Sequence, residues 1–421
     1  MIYFYHFISF FFAILLVPLF SLIALSSKHK WKGLAHHFGW VPATKKSTSK
    51  ILWLHALSMG EVIAAKPVLK LVREQSPDLT IALSVTTDSG YEAALKMNVA
   101  DKVFFHPLDC LPFTFLALTR IKPDLHVVTD TGFWPGLIDL LHRNNIPILL
   151  FNGRISEKSA RRYSIAGSLF KDTFQKFDHL GMQNNNGAKA VLTLGVDQKR
   201  IEVMGDPKYD AQQLLSDEEK EQLQKTFKLE ADAPVWVAGS THAGEEEIIL
   251  DAHQLLLAEH PKLVLILAPR RIERVKEVEA LLKKRNISFT LRSSLKNAET
   301  VILLDTMGEL ARVYSLGQVA FVGRSLIKPG GGHSLIEPLS YGLPVIHGPF
   351  IENVGHVTDK AHALELASTA QNSKEIYEKV HHFLESKNLL QKLAGKALSF
   401  TTEQKGASKK MAQVISGNFK V

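Results

Sequence analysis

Cysteine is almost missing from this chain of 421 residues, which has only Cys110. That excludes an internal disulfide framework and a cysteine-based zinc site, and it suits a reducing compartment for the main body. No charged residue occurs between Ile2 and Leu25, and no acid between Lys28 and Lys50. The HExxH, EF-hand, GxGxxG and GxSxG patterns are absent, and no Gly-Lys-Ser/Thr stands at P-loop spacing. The 18 histidines are scattered, without metal-ligand spacing, so no metal is expected. Positive charge exceeds negative only slightly, 50 Lys plus Arg against 42 Asp plus Glu, a net +8. That excess is too dilute for nucleic-acid binding and suits an anionic partner or membrane surface.

The uncharged run is long enough to span a hydrocarbon core of about 30 Å at about 1.5 Å per residue. A signal peptide would begin with positive charge, whereas here Lys28, Lys30 and Lys32 follow the run. This order predicts a single transmembrane anchor over 1–27, with its N-terminus outside and the body in the cytoplasm. Residues 28–50 then form a basic juxtamembrane segment facing anionic lipid. His6 and Pro18 keep a buried or monotopic helix open as the alternative.

From Ile51 onward, short apolar runs alternate with helical spacing. Ile51 to Ala56 reads as a strand, Ser58-Met59-Gly60-Glu61 as a turn, and Val62 to Arg73 as a helix. The pattern restarts with Val235 to Ala238, Gly239-Ser240-Thr241-His242, and a Glu-rich helix from Gly244. Such alternation predicts parallel α/β sheets. The expected architecture is two doubly wound domains, 51–210 and 233–421, joined by a linker over 211–232. Such domains would leave a cleft at the carboxyl ends of their strands. Ser399 to Val421 reads as a polar helix or frayed tail.

Several strand-to-helix junctions carry candidate chemistry. Glu61 follows a glycine turn, where a carboxylate suits a general base or simply complements the helix dipole. An ordinary glutamate, with pKa about 4.3, is ionised at neutral pH. Pro269-Arg270-Arg271 ends a strand, where arginine can grip a phosphate or sit in a solvated charge cluster. Asp305 or Thr306 can cap a helix whose free N–H groups at Met307, Gly308 and Glu309 face an anion. Gly330-Gly331-Gly332-His333-Ser334-Leu335-Ile336-Glu337 lets the backbone approach a ligand, and suits a phosphate plus ribose hydroxyls.

Taken in order, these segments resemble the Kdo transferases of lipopolysaccharide synthesis. The match runs through Leu54 to Glu61, Pro107-Leu108-Asp109, Phe133-Trp134-Pro135, Asn152 to Ser159 and Gly205-Asp206-Pro207-Lys208-Tyr209-Asp210. It continues through Gly239 to Glu246, Pro269-Arg270, Asp305 to Leu310 and Gly331 to Pro338. The resemblance implies a membrane-anchored, metal-independent GT-B transferase that moves Kdo from CMP-Kdo to a lipid A precursor, lipid IVA, at the bacterial inner membrane, with no cofactor. It implies Glu61 as catalytic base, Lys208 as a transition-state cation and Asp130 as an assisting carboxylate. CMP binding is implied for Pro269, Arg270, Met307, Gly308, Glu309, Ser334, Leu335, Ile336 and Glu337. The family pattern Glu-Thr-Glu-Leu-Trp-Pro-Asn reads here Asp130-Thr131-Gly132-Phe133-Trp134-Pro135-Gly136, and Gly-Gly-His-Asn-Pro reads Gly331-Gly332-His333-Ser334-Leu335. These departures leave open a related transferase with an altered donor or acceptor, or a binding protein of the same fold without turnover.

Overall fold

The computed structural model describes residues 1–26, 33–44, 49–130, 132–165, 168–212 and 214–419. Lys28, Lys30, Lys32, Lys45 and Lys46 of the expected basic segment lie outside the described residues. The chain divides into two compact units, Met1–Ala211 with Gln404–Val421, and Gln212–Glu403.

The first unit is built on strands β1 (Ile51–Ala56), β2 (Thr80–Val85), β3 (Lys102–Phe105), β4 (Leu125–Thr129), β5 (Ile148–Gly153), β6 (His179–Met182) and β7 (Ile201–Val203). They form one parallel sheet in the order β3-β2-β1-β4-β5-β6-β7. Side-chain alternation splits β1 between two cores. Ile51 and Trp53 join Ala82, Phe104 and Leu150 on one face. Leu52, Leu54 and Ala56 join Leu83, Leu125 and Val127 on the other. A sheet buried on both faces explains the near-continuous apolar strands. The strand order reverses between β1 and β4, so loops leaving those two strands adjoin at their carboxyl ends.

The second unit repeats the plan with β8 (Val235–Thr241), β9 (Val264–Pro269), β10 (Phe289–Leu291), β11 (Val301–Leu303), β12 (Val319–Val322), β13 (Val345–His347) and β14 (Ala367–Thr369). Its parallel order is β10-β11-β9-β8-β12-β13-β14, with the reversal between β8 and β12. The doubly wound α/β class expected from the sequence is thus present in both units. The expected linker is largely part of the second unit. It carries a helix, Asp217–Thr226, closed by a capping box between Ser216 and Glu219.

Two expectations are corrected. The last residues are neither a frayed tail nor part of the second unit. Helix Ala407–Gly417 returns to the first unit, where Met411, Ala412 and Ile415 are buried with Val62, Ala65 and Val68. Asp210 fixes its start, accepting hydrogen bonds from Gly406 N and Ser408 N at 2.7 Å each.

The second correction concerns the N-terminus. The helix Ile2–Ser26 forms, yet among the described residues no helix is long and apolar enough to cross a membrane. Its opening turns are instead docked on the first unit. Tyr5 Oη donates to Asp109 Oδ2 at 2.7 Å, and His6 Nε2 lies 2.9 Å from Asp139 Oδ2. Ile2, Ser9 and Ala13 continue the buried face at helical spacing. Asp109 also accepts from Gly136 N at 2.9 Å and Leu137 N at 2.7 Å, capping the helix Pro135–Arg143.

The returning helix is expected to hold the first unit together. Met411→Ala should cost about 2–5 kcal/mol, whereas Leu398→Ala, at an exposed position, should cost less than about 0.5 kcal/mol. Denaturant unfolding of the full chain measures both, and equal small losses would sink the assignment.

Candidate functional site

At the reversal point of the first unit, Ser58 is the N-cap residue of helix Met59–Gln75, and Glu61 sits in its first turn. The side chain turns back toward the strand ends. Glu61 Oε2 accepts from Leu57 N at 2.6 Å and from Thr129 Oγ1 at 3.0 Å, linking the loop after β1 to the end of β4. Among the described residues, Oε1 has only Ser58 Oγ, at 3.5 Å. Burial pushes the Glu61 carboxyl up to about 7, and the nearby Asp130 charge adds to the rise. The Leu57 N–H, the Thr129 hydroxyl and the Arg154 guanidinium pull against it. An ionisation near 4.3, expected for an ordinary glutamate, is therefore corrected: near neutrality this carboxyl can both take and release a proton.

Asp130 is buried and adopts the left-handed backbone conformation, φ 59°. Such a φ is uncommon outside glycine and tolerated best by Asp and Asn. Arg154 grips its carboxylate with two donors, Nε to Oδ1 at 2.9 Å and Nη2 to Oδ2. The buried Asp206 contributes to the field at Arg154 and accepts from Lys208 N at 2.9 Å. Glu61 and Asp130 are thus brought together around Arg154, and the turn bearing Lys208 joins them through Asp206. Arg154 and Asp206 fall within the matching segments, but their sequence context assigns them no role. Both lie far along the chain from Glu61, and only the strand order unites them.

Gly132 has its own neighbour. A Cβ there would stand 3.0 Å from His55 Cδ2 and 3.3 Å from His55 Nε2. His55 is fully buried, receives Trp134 Nε1 at 2.9 Å and pairs its Nδ1 with Ser84 Oγ at 2.9 Å. Burial drives its pKa down to about 3, so it is neutral.

In the second unit the loops after β8 and β12 meet in the same way. Helix Glu245–Leu257 opens with Glu245, whose buried carboxylate accepts four backbone N–H groups. His242 N lies 2.9 Å and Arg324 N 2.7 Å from Oε2, while Ser325 N lies 2.8 Å and Leu326 N 2.9 Å from Oε1. Gly323 is required there, since a Cβ would fall 2.4 Å from Ser240 O. Glu246 is taken up by Arg274, Nη1 to Oε1 at 2.6 Å, and by Thr241 Oγ1 at 2.9 Å. Neither glutamate is left for a ligand.

Of the expected nucleotide residues, Pro269, Arg270, Met307, Gly308, Glu309, Ser334 and Glu337 are exposed or partly exposed, whereas Leu335 and Ile336 are buried in the core. Pro269 ends β9, and Arg270 is exposed with its N–H bonded to Thr241 O at 3.0 Å. Met307 and Gly308 are exposed, and Gly308 has φ 84°. Glu309 accepts from Arg292 Nη2 at 3.0 Å and from the Thr306 hydroxyl. Asp305 does not cap the following helix, Leu310–Val313. Its carboxylate accepts from Ser293 N at 2.8 Å and the Ser293 hydroxyl. Gly331 and Gly332 both have positive φ, and Gly332 N donates to Arg324 O at 2.8 Å, folding Ser334 and Leu335 back beside the β8 loop. Helix Ile336–Ser340 begins there. Ile336 N donates to Ser334 Oγ at 3.3 Å, and Glu337 contributes to the field at the buried Tyr314 hydroxyl.

Comparison with known proteins identifies the family and the fold. A family model described as 3-deoxy-D-manno-octulosonic-acid transferase (kdotransferase) matches residues 32–211. A 3-deoxy-D-manno-octulosonic acid transferase of Haemophilus influenzae is 34% identical over 406 residues, covering 94% of this chain and 93% of its own. One from Chlamydophila psittaci is 30% identical over 333 residues, covering 78% and 76%. The crystal structure of the glycotransferase of kitacinnamycin shares the fold, with TM-score 0.53 at 12% identity over 88% of this chain and 100% of that one.

The raised Glu61 pKa predicts a pH-dependent stability difference. A carboxyl whose folded pKa lies above its unfolded value stabilises the fold fully below about 4.3 and loses that contribution as pH rises through about 7. Glu61→Gln should therefore gain melting temperature relative to wild type between pH 5 and pH 8. An equal difference at both pH values would refute the shift.

Proposed function

The chain belongs to the 3-deoxy-D-manno-octulosonic acid (Kdo) transferase family, and from that premise we propose that it moves Kdo from CMP-Kdo onto a hydroxyl of a lipid A precursor such as lipid IVA. The observation that carries the mechanism is the half-satisfied carboxylate of Glu61. Its Oε2 is held by Leu57 N and Thr129, and Oε1 has only a weak partner. Oε1 is thus the atom that accepts the acceptor's proton as its oxygen bonds to the anomeric carbon of Kdo. The bond from that carbon to the phosphate oxygen breaks, and CMP leaves with the electron pair. A pKa of about 7 matches a base that takes a proton in this step and returns it to water afterwards.

The remaining roles follow the charges. Lys208 is the cation that stabilises charge in the transition state. Asp130, pinned by Arg154, opposes ionisation of Glu61 and so keeps its affinity for the proton high. In the second unit, Arg270, positioned by Pro269 at the end of β9, and the backbone N–H groups of the loop Met307-Gly308-Glu309 hold the phosphate. Ser334 and Glu337 face the ribose, while Leu335 and Ile336 between them anchor this turn in the core. This set needs neither a divalent metal nor a cofactor.

Action on a lipid agrees with the N-terminal helix. Phe4, Phe7, Phe11 and Leu15 are exposed, at helical spacing, opposite the face docked through Tyr5, His6 and Ser9. This apolar stripe enters the inner membrane, with the basic 28–50 segment at the anionic headgroups and the body on the cytoplasmic side.

Incubating the full chain in detergent with CMP-Kdo and lipid IVA, with products read by mass spectrometry, tests the reaction. Glu61→Gln should lower turnover by about 10²–10⁴ while leaving CMP affinity nearly unchanged. A variant that retained more than about a tenth of the rate would make Glu61 a helix-capping residue only. For wild type, kcat/KM should climb through an apparent pKa near 7. On vesicles of anionic lipid, Phe7→Asp with Phe11→Asp should lose most of the flotation of wild type, and undiminished flotation would rule out the helix stripe.

A further inference from the structure

The second unit contains three histidine pairs whose ring nitrogens face each other. His242 Nε2 lies 3.1 Å from His333 Nε2, His347 Nε2 lies 2.9 Å from His362 Nε2, and His260 Nε2 lies 3.2 Å from His381 Nδ1. Beside the first pair, the Glu245 carboxylate is filled by four backbone donors. Among the described residues, the third pair alone gathers into a group with ligand geometry, together with Glu259. Glu259 Oε2 is 2.9 Å from His381 Nδ1, and Glu385 Oε1 is 3.7 Å from His260 Nε2.

We propose that Glu259, His260, His381 and Glu385 form a zinc-binding site that staples the chain just after helix Glu245–Leu257 to helix Ser373–Glu385. Glu259 Oε2 and His260 Nε2 lie 2.9 and 3.2 Å from His381 Nδ1, near the edge of about 3.3 Å expected for a tetrahedron with bonds of about 2.0–2.1 Å, and Glu385, 3.7 Å from His260 Nε2 and outside that group of three, swings in as the fourth ligand. Two imidazoles with two carboxylates suit zinc rather than magnesium or calcium, which take oxygen ligands. Two neutral imidazoles and two carboxylates also balance a dication. His381 and Glu385 stand one turn apart on one helix face. Tyr377 orients the set. Its Oη donates to Glu259 Oε1 at 2.7 Å, leaving Oε2 toward the imidazoles, and its ring stacks on His381 at 5.8 Å and 18°. The side chains are partly exposed, which gives the ion a path in.

The full chain, stripped with chelator and then titrated with zinc, should bind one equivalent at this site. Its melting temperature should rise by about 5–10 °C at a zinc concentration near 100 Kd. His381→Ala and Glu385→Gln should lose that equivalent and the thermal shift, Tyr377→Phe should bind about 10–100-fold more weakly, and His362→Ala should behave as wild type. Cobalt substituted into wild type should give the intense visible bands of a tetrahedral site, a readout that does not depend on any variant folding. Absence of zinc-induced stabilisation in wild type, an octahedral cobalt spectrum, or equal losses in His362→Ala and His381→Ala would each overturn the proposal.

Discussion

Each unit is closed at its strand reversal by one glutamate at the start of the first helix. Glu61 bridges the loop after β1 to the end of β4, and Glu245 bridges the loop after β8 to the turn after β12. Both solve the same physical problem: two loops diverge from adjacent parallel strands and leave N–H groups with no ladder partner. The number of donors then separates their fates. Glu245 receives four, two on each oxygen, and is fully committed to structure. Glu61 receives both of its short hydrogen bonds on one oxygen, which leaves the other for chemistry. Desolvation without full compensation is also what raises its pKa.

Backbone strain follows the same map. Asp130, Asn152, Ser240 and Arg324 all take positive φ near the carboxyl ends of strands β4, β5, β8 and β12. Gly132 belongs to this pattern through space rather than φ. A side chain there would press on His55, which Trp134 and Ser84 hold in place. Gly132 thus stands directly against a buried, neutral imidazole.

Much of this was legible in the sequence because it is local. Alternating runs such as Ile51 to Ala56 followed by Val62 to Arg73 announce a strand and a crossover helix, and the junction residues follow from that order. What escaped depends on separation along the chain. Arg154 reaches Asp130 from the next strand, and Asp210 meets Ser408 almost two hundred residues later. His260 and His381 stand 121 residues apart, so no ligand spacing could reveal them. The N-terminal helix shows a different limit. Hydropathy registers its apolar residues, yet the docking is decided by two polar atoms, Tyr5 Oη and His6 Nε2, which a hydropathy average cannot weigh.

The returning helix Ala407–Gly417 has a consequence for biosynthesis. Its buried residues complete a core laid down by Val62, Ala65 and Val68, near the other end of the chain. On a ribosome, that apolar surface stays uncovered while Gln212–Glu403 is made, about 10–40 s at ~5–20 residues per second. The second unit is contiguous and can fold as it emerges, whereas the first must wait until residues 407–417 have emerged. Interrupted translation therefore yields a polypeptide with an open hydrophobic groove, the kind of surface that chaperones retain and proteases remove.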